Sequence, residues 1–526
     1  MTHPVSFNDK AFLAAGLGAL LFGASSFRQA SAQGATEPIW PTKEWQTSSP
    51  EEQGIDSREL AKLVDFGATG SLDSLLVVRH GKIVVEAYYA PYDAGIPHQM
   101  YSATKAIVST LTAIARKDGL LDSPDHRVLD FFDRRSIANV DDRKEAITVQ
   151  NLLYMTSGIE WKQPLGGWPE TMFEMERSPN WVKFVLDRPM ANAPGEIFNY
   201  SNGNAHVVSA IITRLTGISA LEYAKAKLFG PLGIKDLFWQ HDPQGISYGG
   251  GGLYLQPRDM AKIGYLYLHN GVWEHQQLLP SDWIGKLIRI TIDPHAPGEP
   301  ESRYSSFFWV IPDRHVYAAL GYHDQLIMVF PELDIVVVTT GRDNHPLREM
   351  ADSIYSSVES KAALTSDAAS ADLLANKELD ARAEKPNTVG ATPKTAANIS
   401  GKVYRFPPNP INLKSLSLIL TDPQPRYEMS LYVDATESGP RLTGPIGLDG
   451  LYRKGEPTYL QELPLRGVSA VKGNWQDDHT FVFDRLILGE GQPGTRWFLT
   501  FDGKKLNLRT KLENGQEISV VSEMGS

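Results

Sequence analysis

A chain of 526 residues, 42% of them apolar, is too long for one ordinary core and has the balance of a globular enzyme with more than one domain. Its formal charge of -11 excludes the basic surface that phosphate neutralisation requires, so no nucleic-acid partner is expected. The absence of cysteine excludes a disulfide framework, a thiol nucleophile and a thiolate metal site, and is compatible with an oxidising compartment.

In chain order, the first element is "KAFLAAGLGALLFGASSF", Lys10 to Phe27, an apolar run after a short polar lead. "QASAQ" follows it and sets Ala30 and Ala32 as a small-x-small cleavage site. This predicts a signal peptide over residues 1–32 and a periplasmic or secreted protein. The run is short for a membrane span, so no stable span is expected after cleavage. "SLLVVRHGKIVVEAYY" (Ser74 to Tyr89) is a pair of β-rich runs around His80-Gly81 and predicts a hairpin. From Ser102 the apolar residues Ile107, Leu111 and Ile114 recur at helical spacing, with Val108 and Ala115 beside them, and Gly119 closes the helix. "HVVSAIITRLTG" (His206 to Gly217) is a second helix stopped by glycine, and "QLIMVFPELDIVVVTT" (Gln325 to Thr340) is a second hairpin.

Helices and antiparallel hairpins therefore share residues 33–360, as an α/β domain whose sheet is flanked by helices. Residues 361–398 are mostly Ala, Asp, Thr, Lys and Glu with no aromatic residue, a composition unable to bury enough apolar area to hold one conformation, and read as a linker. From 399 to 526 the pattern alternates with period two, including a hairpin at Asp502-Gly503, and predicts an all-β barrel or sandwich.

Chemistry enters at "QMYSATKAIVSTL", residues 99–111, where Ser102 and Lys105 stand three apart at the head of the first helix. Positions i and i+3 share a helix face, so the amine reaches back to the hydroxyl. The same spacing at Ser469 and Lys472 has no helix after it and reads as chance. An exposed lysine holds only about one free base in 2,500 at neutral pH; moving its pKa from ~10.4 to ~7 takes roughly 4 to 5 kcal/mol, which burial supplies. "APGEIFNYSNGNAHVV", residues 193–208, is the second motif. Tyr200 there is placed to shuttle a proton if it lies near Lys105, whose positive charge would favour the phenolate. Asn202 either donates to a substrate carbonyl or caps the next helix.

Taken together, Ser102 to Lys105 as SxxK, "LLYMTSG" (Leu152 to Gly158), Tyr200 to Asn202 as YxN within "PGEIFNYSN", and "FGPLGI" (Phe229 to Ile234) resemble the serine hydrolases of the class C β-lactamase and penicillin-binding-protein superfamily over roughly residues 50–360. The resemblance implies a β-lactamase-like fold, with Ser102 as acylated nucleophile, Lys105 as its base partner, Tyr200 as proton carrier and Asn202 as a substrate-positioning group. The third motif departs from that pattern. Where lactamases carry KTG, this chain has "ALGYHDQ", with Gly321, Tyr322 and His323 in the motif's place and Asp324 after them. No lysine meets a β-lactam carboxylate there, so the branch of 6-aminohexanoate-dimer hydrolases and carboxylesterases is the nearer resemblance. A backbone N–H of this strand is expected to join that of Ser102 in an oxyanion site, with Gly321 to Asp324 lining the cleft.

A Ser-His-Asp triad through His323 is not expected, because no GxSxG elbow is present. Gly249 to Gly252 lack the Lys-Ser/Thr of a phosphate loop and read as a tight turn. No close metal-ligand spacing is present, so neither metal nor cofactor is expected. The expected activity is cleavage of small esters or amides. The alternatives are a β-lactamase or D-stereospecific peptidase of the same fold and, in a different class, a non-catalytic cell-wall binding protein.

Overall fold

The computed structural model describes residues 38–296, 299–432, 438–459, 466–492, 494–512 and 515–524. The expected signal segment lies outside them. Eight strands make the first sheet: β1 (Gln46–Thr47), β2 (Leu72–Arg79), β3 (Lys82–Tyr88), β4 (Arg303–Ser305), β5 (Phe308–Ile311), β6 (Val316–Gly321), β7 (Gln325–Phe330) and β8 (Ile335–Gly341). Their spatial order is β1-β3-β2-β8-β7-β6-β5-β4. Every neighbour is antiparallel except β1, which runs parallel to β3.

Both expected hairpins are present. His80 and Gly81 turn β2 into β3 with φ of 49° and 76°, the left-handed pair of a tight hairpin turn. The join between β2 and β8, with Val77 opposite Val337, brings the two hairpins into one sheet. All eight residues of β2 are buried, which is why its centre, Leu75 to Val78, is a continuous apolar run rather than an alternation.

The helices that place the site are α1 (Ser57–Thr69), α2 (Thr104–Lys117), α3 (Asn202–Thr216) and α4 (Pro257–Leu268). Every residue of α2 from Thr104 to Ala115 is buried, so the helix is inside on all faces, and its hydroxyls turn inward on the backbone: Thr110 donates to Ala106 O and Thr112 to Val108 O. The helix begins later than the pattern predicts, because Tyr101–Ala103 form a separate 3₁₀ turn. Ser201 caps α3 by accepting the Asn204 N–H, and Gly217 ends it at φ 75°.

The segment 361–398 departs from expectation. It contains α5 (Ala368–Arg382), a helix without an apolar stripe, in which Ser370 and Leu374 alone are buried. Polar contacts hold it against α1 and β3: Lys377 pairs with Asp65 at 2.9 Å, Glu378 accepts the Glu86 N–H and Arg382 donates to Glu86 O. Its composition shows too little apolar area to order it alone; its order comes from partners nearly 300 residues earlier.

The C-terminal region is one antiparallel sheet of ten strands: β9 (Val403–Arg405), β10 (Leu413–Ile419), β11 (Arg426–Tyr432), β12 (Ser438–Pro445), β13 (Arg453–Thr458), β14 (Gly467–Trp475), β15 (Thr480–Leu488), β16 (Thr495–Asp502), β17 (Lys505–Lys511) and β18 (Glu517–Met524). The order β12-β11-β10-β9-β18-β17-β16-β15-β14-β13 wraps around a core that includes Tyr427, Phe481, Phe483, Leu499 and Leu508. The hairpin at Asp502-Gly503 joins β16 to β17, as the sequence predicts.

Candidate active site

Ser102 is the middle residue of the 3₁₀ turn, half-buried, and it follows Tyr101 at φ 46°, a left-handed conformation that costs a non-glycine residue about 1 kcal/mol. One turn later Lys105 is wholly buried, with Nζ 2.9 Å from Ser102 Oγ. The amine also donates to Gly250 O at 2.9 Å and lies 4.8 Å from the centre of the Tyr200 ring. Among the described residues no carboxylate pairs with it. Burial therefore pushes its pKa well below the usual lysine value, since an unpaired ammonium in a dry site costs several kcal/mol and a neutral amine avoids that cost.

The Gly250 carbonyl is a polar group of the site that no sequence motif marks. The glycine run makes its approach feasible: a Cβ on Gly249 would lie 2.1 Å from Ala205 O, and one on Gly250 2.9 Å from Asn202 Cβ. The signal was there as four consecutive glycines, but nothing local says which carbonyl faces the amine.

Tyr200 is brought beside Ser102, and its hydroxyl is hydrogen-bonded to the serine. Its charge state differs from the expectation. Burial raises the phenol above its usual value, and the bond to Ser102 offsets only part of that rise. Burial disfavours the charged form of both groups, and a lysine without its charge cannot stabilise a phenolate.

Asn202 is the first residue of α3, and the cap is Ser201. The Asn202 side chain donates to Tyr248 Oη at 2.7 Å and accepts from Gln163 Nε2 at 3.1 Å, while its own N–H donates to Gln163 Oε1 at 3.0 Å. Gln163 and Tyr248 thus hold the residue in place. Neither was singled out from the sequence, since they lie 39 and 46 positions from Asn202.

On the sheet side, Gly321 ends β6 against the Tyr101–Ala103 turn, where a Cβ would lie 2.1 Å from Met100 O. Only glycine fits. Tyr322 is 53% exposed, its ring edge-on to Tyr101 and stacked on His323. His323 and Asp324, at φ 58° and 56°, are buried in the β6–β7 turn. The His323 N–H donates to Asn344 Oδ1 and its ring Nδ1–H to Gly491 O, whereas the Asp324 carboxylate accepts from both the backbone N–H and the ring of His345. The aspartate thus holds a different histidine, and the ring nitrogen that a triad would direct to it is bonded to a peptide carbonyl.

A serine one turn from a buried amine, beneath an antiparallel sheet flanked by helices, defines a serine hydrolase with a β-lactamase-like fold. The chain belongs to the Beta-lactamase family, whose model matches residues 71–359. The 6-aminohexanoate-dimer hydrolase of Paenarthrobacter ureafaciens is 23% identical over 283 residues, 51% of this chain and 71% of that protein. Among solved structures, EstCE1, described as a hydrolase with promiscuous acyltransferase activity, is similar at 16% identity and a TM-score of 0.48, over 57% of this chain and 99% of its own. The octameric penicillin-binding protein homologue from Pyrococcus abyssi is similar at 16% identity and a TM-score of 0.42, over 88% of this chain and 99% of its own.

Proposed function

We propose that the protein hydrolyses small esters or amides through an acyl-enzyme on Ser102. The observation that carries this reading is the position of Lys105 Nζ, held between Ser102 Oγ and Gly250 O in a site without a carboxylate partner. As Oγ attacks the substrate carbonyl, the amine takes its proton and becomes an ammonium. The Tyr200 phenol, bonded to the same oxygen, gives its proton to the departing alkoxide or amine and recovers one from Lys105. Water then attacks the ester on Ser102, the Lys105 amine takes the water's proton, and the same two groups deliver it to Oγ as the acid leaves.

The β6 end favours uncharged substrates. Ala319, Leu320, Gly321 and Tyr322 offer no cation to a carboxylate, so a β-lactam or a peptide C-terminus has no partner on that strand. The relative named for 6-aminohexanoate-dimer cleavage supports including linear amides alongside esters. In this reading Tyr322 lines the cleft, and the segment before Ala32 directs export.

Incubation with a fluorophosphonate probe, followed by mass mapping, tests the nucleophile. The adduct is expected on Ser102, and well-folded protein without label would make the chain a binding protein instead. A panel of a short-chain p-nitrophenyl ester, a linear amide dimer, a D-alanyl peptide and a chromogenic cephalosporin ranks the substrates. The ester should turn over fastest; a dominant cephalosporinase activity would reverse the order.

A further inference from the structure

Three consecutive peptide carbonyls in the turn after β15 bond to the segments around Ser102. Gly489 O accepts the Gln99 N–H at 2.7 Å, Glu490 O accepts the Tyr101 hydroxyl at 2.5 Å, and Gly491 O accepts the His323 ring N–H. Gln492 adds a fourth bond, from Nε2 to Tyr101 Oη at 2.9 Å. Gln99 and Tyr101 lead directly into Ser102, and His323 lies in the turn that follows Gly321. A single turn from the C-terminal sheet therefore bonds to both strips of chain that flank the nucleophile.

The turn is built to stay there. The buried Glu490 carboxylate accepts from Tyr254 Oη at 2.6 Å and from the Arg466 N–H at 2.6 Å, and Gln99 Nε2 lies 3.4 Å from its other oxygen. Gly489 and Gly491 have φ of 92° and 60°, and a Cβ on Gly489 would lie 2.2 Å from Pro97 O. The backbone approaches the catalytic strips more closely than any side chain would permit. Tyr101, which the turn grips by its hydroxyl, is itself in the left-handed region at φ 46°, a conformation that persists only where its surroundings over-determine it.

We propose that the Gly489–Gln492 turn is a positioning element of the active site: by tying Tyr101 to the β6–β7 turn it holds Ser102 Oγ in line with Lys105 and sets the width of the cleft. This rests on Ser102 being the nucleophile. The turn acts through Tyr101 and His323 rather than by touching the reacting atoms, and the C-terminal sheet thereby becomes part of the catalytic apparatus. A misplacement of about 1 Å at a reacting atom costs about 100-fold in rate, so the loss of one such tie is expected to appear in the chemical step.

The test compares full-length wild type, Tyr101→Phe, Glu490→Gln and Gln492→Ala, with Lys504→Ala on the exposed β16–β17 tip as control. Fluorophosphonate labelling of Ser102 is followed for both rate and final stoichiometry, alongside kcat and KM on a short-chain p-nitrophenyl ester. Tyr101→Phe should still label to about one adduct per chain, but at least about tenfold more slowly, with the loss in kcat and KM within about twofold. Gln492→Ala and Glu490→Gln should slow labelling about threefold, and Lys504→Ala should match wild type. A purely structural role would instead lower stoichiometry and leave the rate of the labelled fraction unchanged, and that result overturns the proposal. Equal rates in all four variants overturn it as well. If Tyr101→Phe does not fold, Gln492→Ala decides by the same criterion. A wild-type protein that carries no label on Ser102 removes the proposed function and this inference together.

Discussion

The two walls of the cleft use polar groups in opposite ways. On the α2 side, Lys105 has among the described residues only a hydroxyl, one peptide carbonyl and an aromatic face around it, and Tyr200 is buried beside it. On the β6–β7 side, His323 and Asp324 have conventional partners for their side chains: the Gly491 carbonyl for the histidine ring, and the backbone N–H and ring of His345 for the aspartate. The proposed reactivity rests on the first arrangement, because a group that lacks a compensating charge shifts its pKa and keeps a proton to give or take. Bonded as the second set is, the same side-chain types serve the backbone. A histidine and an aspartate adjacent in sequence are therefore weaker indicators of catalysis than a lysine without a counter-ion.

The strongest way to break this contrast is to remove the enclosed groups. Ser102→Ala should abolish covalent labelling, and Lys105→Met should lower kcat/KM by about 10³-fold or more, measured on the ester that wild type prefers. Tyr200→Phe should cost about 100-fold, since the ring still fills the site but the leaving group loses its proton donor. Wild-type activity in either of the last two variants would take that side chain out of the mechanism.

A pH series sharpens the contrast. In the proposed mechanism Lys105 works as the free amine, so kcat/KM should rise with pH through its lowered pKa and then level off; with Tyr200 raised by burial, no alkaline loss from the phenol is expected below pH ~10. Stability carries the same sign. Between the lowered native pKa and the unfolded value of about 10.4, the unfolded chain binds a proton that the native state does not, so wild-type stability from this group rises with pH. Lys105→Met lacks that dependence. In denaturant titrations its stability relative to wild type should be highest at the lower end of that window and decline by up to about 1.4 kcal/mol per pH unit toward pH 10. A constant difference would mean that the amine is charged in the native state.

The smallest effect belongs to the other wall. Asp324→Asn should lower the melting temperature, through the lost charge-assisted bonds to His345, while the Ser102 labelling rate stays within about threefold of wild type. The aspartate of a working triad would cost about 10⁴-fold instead.

Much of this was legible from local pattern. The α2 helix, the two catalytic-sheet hairpins and the Asp502-Gly503 turn all follow from periodicity and glycine placement, because their hydrogen bonds close within a few residues. The polar helix α5 was not, since its partners Asp65 and Glu86 are remote and its own sequence has no apolar stripe. The spacing of Ser102 and Lys105 also placed the amine at the hydroxyl, as the helix geometry requires.

What the order of amino acids determined by itself, then, was which segments coil or extend and which two side chains share a helical face. Only the tertiary structure decided that Tyr200 rests as a phenol, that Gly250 presents the carbonyl to the amine, that Asp324 faces His345, and that a turn nearly 400 residues downstream grips the neighbour of the nucleophile. The physical reason is range. Helix and hairpin bonds join near neighbours, whereas the dielectric surroundings of a proton and the partners of a buried carbonyl are supplied by whichever remote segments fold against them.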